Sequence, residues 1–176
     1  MNINPLHIHD QNIEQINKYK YLGVTIDDQL KWNFHIDTVE SKLNKRLYFV
    51  KKLQEFNIDK TICTLFYRSV LESVITFGIT AWGGNALKND TKRIDRLINK
   101  ASKCTHAVSN VSDLFSIFCL SKFKNILKDD KHPLFKRILF SCRTGRPLSL
   151  RTKTERHLNS FLPFAVRHYN DKLRIG

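Results

Sequence analysis

At 176 residues and 41% hydrophobic content, the chain is long and apolar enough for one packed core, which excludes wholesale disorder. Thirty Lys and Arg against sixteen Asp and Glu give a formal net charge of +14. A field of this sign attracts phosphate or anionic lipid; a solvated basic surface with no dedicated partner is the plain alternative. The most apolar run, residues 74–82, is shorter than the roughly 20 residues a membrane span needs, so no membrane partner is expected. Residues 1–5 lack the basic and apolar regions of a secretory leader, and an intracellular place, nuclear or cytoplasmic, is expected. Cys63, Cys104, Cys119 and Cys142 are scattered without zinc spacing and read as buried, reduced thiols.

In chain order, residues 1–17 are polar and read as the frayed end of a sheet or the stump of a missing domain. Residues 19–26 alternate as a strand, with Gly23 marking a bulge or a close backbone approach. Asp27, Asp28 and Gln29 close it as a turn. A first helix is expected over about 37–56, where Ile36, Val39, Leu43, Leu47, Val50 and Leu53 form one stripe. Lys42, Lys45, Arg46 and Lys52 lie off that stripe, and Asp37 opens the helix. Asp59 caps a second helix over about 60–77, with Ile62, Leu65, Phe66, Val70, Val74 and Phe77 facing the core and Leu71 and Ile75 widening the apolar arc. Gly83 and Gly84 end the apolar stretch.

A third helix over 89–103 buries Ile94, Leu97, Ile98 and Ala101. Arg93, Arg96, Lys100 and Lys103 then fall on one face. Four like charges in line disfavour an isolated helix and favour an anionic partner, with a solvated face as the alternative. Residues 111–128 form a weaker fourth helix and 129–133 a break. Residues 136–156 carry Arg143, Arg146, Arg151 and Arg156 without periodicity and read as an extended basic arm, a flexible clamp for an anion. Ser160 caps a last short helix docked by Phe161, Phe164, Ala165 and Tyr169. The expected fold is mainly α: a small N-terminal β element (1–35), an antiparallel helical bundle (36–128), and a basic, partly irregular C-terminal tail (129–176).

Several segments also carry a likeness to known sequences. They are Tyr21-Leu22-Gly23-Val24, Leu30-Lys31-Trp32, His35-Ile36, the run 47–53, Phe66-Tyr67-Arg68-Ser69-Val70, Ala81-Trp82-Gly83-Gly84 and Ile94-Asp95-Arg96-Leu97. In this order they resemble the region after the catalytic palm in reverse transcriptases of LINE-type non-LTR retrotransposons. His132-Pro133-Leu134 and Asn159-Ser160-Phe161-Leu162-Pro163 look like the ends of such reading frames. The resemblance implies a thumb-like, non-catalytic unit that begins after the active site and holds RNA or an RNA–DNA hybrid. An upstream polymerase palm would be a further partner if the chain is a fragment. The same region is also similar to sequences grouped as the N-terminal domain of AlkB-type alkylated-DNA-repair proteins. That likeness implies association with an iron- and 2-oxoglutarate-dependent dioxygenase or its fused methyltransferase.

The residues decide among chemistries. A reverse transcriptase holds two metal ions with an aromatic-x-Asp-Asp turn and a third carboxylate; here Thr25 stands in place of the aromatic, and Asp27 and Asp28 read as turn residues. His35-Ile36-Asp37 has the letters of an iron site, but Asp37 reads as a helix opener. No Gly-rich loop follows a first strand as a methyltransferase requires, no nucleophile triad can be argued, and no cofactor is expected. What remains is binding: basic helix faces following phosphates, with Trp32 and Tyr48 as stacking surfaces. Phe49 and Tyr67, in helices dense with apolar residues, read as core. A protein-interaction bundle or a relic without function stays open.

Overall fold

The computed structural model describes residues 7–8, 11–12, 14, 16–106 and 109–175. Two antiparallel hairpins come first, β1 (His7–Ile8) with β2 (Gln11–Asn12), then β3 (Lys18–Tyr21) with β4 (Val24–Asp27). Tyr21 pairs with Val24, so Leu22 and Gly23 alone make the second loop. Their φ values of 46° and 86° are those of the two-residue turn whose twist matches its flanking strands. The single strand expected over 19–26 is thus a hairpin, and Gly23 is its turn rather than a bulge.

The chain then enters α1 (Asn33–Glu55), four residues earlier than the periodicity suggests. The cause is Asp27, only 6% exposed. Its Oδ1 accepts the Gln29 and Lys31 backbone N–H groups at 2.9 and 3.1 Å, and its Oδ2 accepts that of Trp32 at 3.1 Å. Trp32, at φ 68°, is the residue before the helix, so Asp37 lies inside α1 and caps nothing. Ile36, Val39, Leu43, Leu47 and Val50 are buried, as their spacing requires.

The second helix departs from expectation in its period. It comprises α2 (Lys60–Phe66), a π-helical segment (Tyr67–Glu72) and α3 (Ser73–Thr76). Asp59 caps it by accepting the Thr61 N–H at 2.7 Å. Its buried residues are Cys63, Tyr67, Leu71 and Ile75, each four apart. In an α-helix each step of four over-rotates by about 40°; the wider π turn keeps these side chains on one line. The stripe expected to face the core is therefore turned away: Ile62, Leu65 and Phe77 are exposed, while Phe66, Val70 and Val74 are only partly covered.

Gly78, at φ 63°, reverses the chain into α4 (Ile79–Trp82), whose Trp82 is fully buried and donates its Nε1–H to the Phe77 carbonyl at 3.1 Å. α5 (Lys88–Ser102) packs along α1 and buries Ile94, Leu97, Ile98 and Ala101 as expected. α6 (Val111–Lys128) is capped by Asn110, which accepts the Asp113 N–H at 2.8 Å. A 3-10 turn (Phe135–Arg137), α7 (Glu155–Leu158) and α8 (Phe161–Ile175) complete the chain. α8 is longer than expected and packs on α6, with Phe115 and Phe164 rings 4.6 Å apart and Phe123 and Tyr169 rings 5.4 Å apart. Its Ala165 and Val166 belong to the same buried cluster as α1.

Between α6 and α8 the basic stretch is a small hairpin rather than an extended arm. Phe140 bridges Pro147, Leu148 donates its N–H to the Leu139 carbonyl at 2.7 Å, and Asn170 of α8 donates to the Pro147 carbonyl at 2.8 Å. Cys63, Cys104 and Cys119 are buried free thiols, but Cys142, on this hairpin, is exposed, against the expectation for all four. Among the described residues no helix is long and apolar enough to cross a membrane.

Candidate nucleic-acid interface

Burial of Ile94, Leu97, Ile98 and Ala101 against α1 turns the opposite face of α5 to water. Arg96, Lys100 and Lys103 are exposed there, and among the described residues none has a carboxylate partner. Arg93 is different. Its guanidinium bonds Asp37 of α1 at 2.7 Å, Glu40 of α1 more closely, and Asp90 at 3.3 Å. The Glu40 and Asp37 carboxylates push its pKa up further, so Arg93 clamps α5 to α1 instead of completing the exposed row. Replacing Arg93 by Ala should cost about 1 kcal/mol of stability, because the cluster is partly solvated; urea unfolding measures it, and a double-mutant cycle with Glu40→Ala isolates the pair.

Lys42 and Lys45 of α1 are exposed and Arg46 is half-buried. They form a separate surface, not an extension of the α5 row. Asp37 and Glu40 mark the flank of α1 that meets α5, and Lys42 stands roughly 150° around the helix from both. Arg46 donates Nη1–H to the Val70 carbonyl at 2.5 Å, a bond from α1 to the middle of the π segment. Arg143, Arg146, Arg151 and Arg156 are all exposed, on the hairpin, the segment after it, and α7.

The stacking candidates divide. Trp32 is 8% exposed, sealed where Asp27 organises the start of α1, and offers no face to a base. Tyr48 is exposed, with Phe49 edge-on at 5.7 Å and the Lys52 ammonium 5.7 Å from its ring centre. Phe49, expected in the core, is 54% exposed, whereas Tyr67 is buried as expected. Phe77, also 54% exposed, is a ring that sequence reasoning placed inside. The signal that would have found it is the four-residue spacing of Cys63, Tyr67, Leu71 and Ile75, a rival core line that leaves Phe77 outside.

Two neighbouring hollows, about 370 and 640 Å³, lie between α1 and the second helix and share Arg46 and Ser73. Lys42 and Phe77 border the first, and Phe49 and Val70 the second.

His35 and Asp37 do not come together. Residues two apart on a helix point to opposite sides. His35 is 3% exposed, its Nδ1 accepts the Thr25 N–H at 3.3 Å, and its ring meets Trp82 at 5.5 Å. Burial, helped by the Lys42 charge, pushes its pKa down to about 4, so it is neutral near pH 7. Asp37 faces Arg93. Among the described residues no group of three or more His, Cys, Asp and Glu could hold a metal ion, so these residues do not fit an iron site.

Residues 32–73 match the family model of the alkylated DNA repair protein alkB homolog 8, N-terminal. No curated protein and no solved structure matches the chain. The AlkB-type match runs from Trp32 through α1, α2 and the π segment to Ser73. It therefore contains Lys42, Arg46, Phe49 and Val70 around the hollows, but stops short of Phe77 and of α5 with its cationic row.

Proposed function

We propose that the chain is a non-catalytic nucleic-acid-binding unit that holds RNA or an RNA–DNA hybrid through the phosphate backbone. This is the role implied by its resemblance to the thumb region of LINE-type reverse transcriptases. The observation that carries it is the α5 row: Arg96, Lys100 and Lys103 are exposed and lack carboxylate partners among the described residues. Unpaired cations at helical spacing match a run of phosphates and release counterions on binding. Lys42, Lys45 and Arg46 supply a second cationic surface, and Arg143, Arg146, Arg151 and Arg156 a third. If the chain is a fragment, an upstream polymerase palm is its natural partner.

Titration of a fluorescent RNA–DNA hybrid across a salt series tests this. The wild-type chain should give a steep log–log slope with little sequence dependence. Arg96→Ala/Lys100→Ala/Lys103→Ala should reduce that slope by about three while its circular dichroism and melting stay unchanged. Unchanged affinity in the triple variant would remove α5 from the interface, and no binding of wild type at low salt would end this reading.

A second reading rests on the family match: a domain associated with an AlkB-type iron- and 2-oxoglutarate-dependent dioxygenase or its fused methyltransferase. It needs the iron chemistry to come from another part of a longer protein, since His35 and Asp37 cannot chelate together. Stable co-elution of this chain with a separately produced AlkB-type dioxygenase would favour it.

A further inference from the structure

We propose that the groove between α1 and the second helix takes single-stranded nucleic acid, with unpaired bases on the Phe49 and Phe77 rings and backbone phosphates on Lys42 and Arg46. The inference rests on the nucleic-acid reading above and assigns a distinct kind of strand to a distinct surface.

Charge complementarity is the first reason. Lys42 and Arg46 border the two hollows, and among the described residues no Asp or Glu lines either one. The second is the pair of rings. Phe49 and Phe77 are both more than half exposed and border opposite hollows. Along α1, the step of ten positions from Val39 in the first hollow to Phe49 in the second corresponds to about 15 Å, which accommodates a short stretch of extended strand.

Local structure holds these groups in place. The Val70 carbonyl, in the π segment, fixes the Arg46 guanidinium at the junction of the hollows. Gly23 lets the β3–β4 turn lie against Phe77, since a Cβ there would stand 3.0 Å from the ring. The turn thereby backs one ring, while Tyr48 meets the other edge-on.

The distinction from duplex follows from what each ligand exposes. A duplex hides its base faces within the stack and offers its phosphates together with sugars and groove edges, so a row of cations suits it. A single strand offers π-faces as well, and stacking on aromatic side chains tolerates any sequence. The groove has both cations and rings; the α5 row has cations only.

The test measures binding of fluorescent oligouridine RNA and of an RNA–DNA hybrid to the full chain. Wild type is compared with Phe49→Ala/Phe77→Ala and with Phe49→Leu/Phe77→Leu, which keeps apolar bulk but removes the rings. Both double variants should lose about tenfold or more in single-strand affinity and keep their hybrid affinity. Ultraviolet cross-linking of a 5-iodouridine-substituted strand should attach at Phe49 or Phe77. Undiminished single-strand affinity in both variants, with cross-links elsewhere, overturns the groove and leaves the hybrid-binding reading standing. Failure of both probes to bind wild type at low salt overturns both. Capture of an acidic peptide by the groove without any binding of the single strand assigns the surface to a protein and overturns the inference.

Discussion

Asp27→Ala is expected to lower the unfolding free energy by about 3 kcal/mol, since it removes a buried carboxylate that accepts several backbone bonds. The Gln29, Lys31 and Trp32 N–H groups all converge on this side chain, and only that of Trp32 is fully shielded from water, so the loss is less than the sum of separate bonds. Asp27→Asn keeps one acceptor oxygen and should cost roughly half as much. The effect depends on pH. Burial works to raise the Asp27 pKa, but the bonds from Lys31, Trp32 and Gln29 outweigh it and hold the value below the ordinary 3.8. A depressed carboxylate stabilises the fold above its unfolded pKa, about 3.9, and the contribution is lost as pH falls through the lower folded value. The gap between wild type and Asp27→Ala, measured by urea unfolding, should therefore be full at neutral pH and narrow progressively once the solution is acidified below the unfolded value. A constant gap down to strong acid would mean that Asp27 acts by shape alone.

Much of the fold was legible because it follows the α period. The stripe Ile36, Val39, Leu43, Leu47 and Val50 is the buried side of α1, and Ile94, Leu97, Ile98 and Ala101 that of α5. The second helix was misread for a physical reason. Its apolar residues cover a wide arc that holds both an α-periodic line and the four-residue line of Cys63, Tyr67, Leu71 and Ile75, and the π turn at Tyr67–Glu72 favours the second. That one change moved Phe77 from the expected core to the surface and set the Val70 carbonyl opposite Arg46. The candidate site was legible as charge but not as pairing. Arg93 shares a helix face with Arg96, Lys100 and Lys103, yet Asp37 and Glu40, more than fifty positions away, engage it. Trp32 looked like a free ring because the sequence does not show that Asp27 binds its N–H and draws it beneath the loop.

Gly84→Ala should be at least as damaging as Asp27→Ala, and for a reason that no local propensity predicts. A Cβ at Gly84 would stand 2.0 Å from the Asn159 carbonyl oxygen and 2.7 Å from Phe115 Cζ. The first obstacle is backbone, so no rotamer change relieves it; the segment between α7 and α8 must move away. Overpacking a close contact costs roughly 1–3 kcal/mol, and a clash with fixed backbone belongs at or above the top of that range. For a chain of this size about 3 kcal/mol corresponds to roughly 6–12 °C in Tm. The movement would loosen α8 from α6, where Phe164 rests on Phe115. Hydrogen exchange should accordingly rise first in α8 and in the hairpin that Asn170 pins through Pro147. Gly145→Ala is the control. Gly145 has φ +62° with no atom within 4 Å of an added Cβ, so only backbone strain of about 1–2 kcal/mol opposes the substitution. If the two variants melt alike, the contact between Gly84 and Asn159 does not hold α8 in place. If Gly84→Ala alone loosens α8, the last helix depends on a glycine some eighty residues upstream, and the arginines at 143, 146, 151 and 156 keep their position relative to the bundle only while that contact is intact.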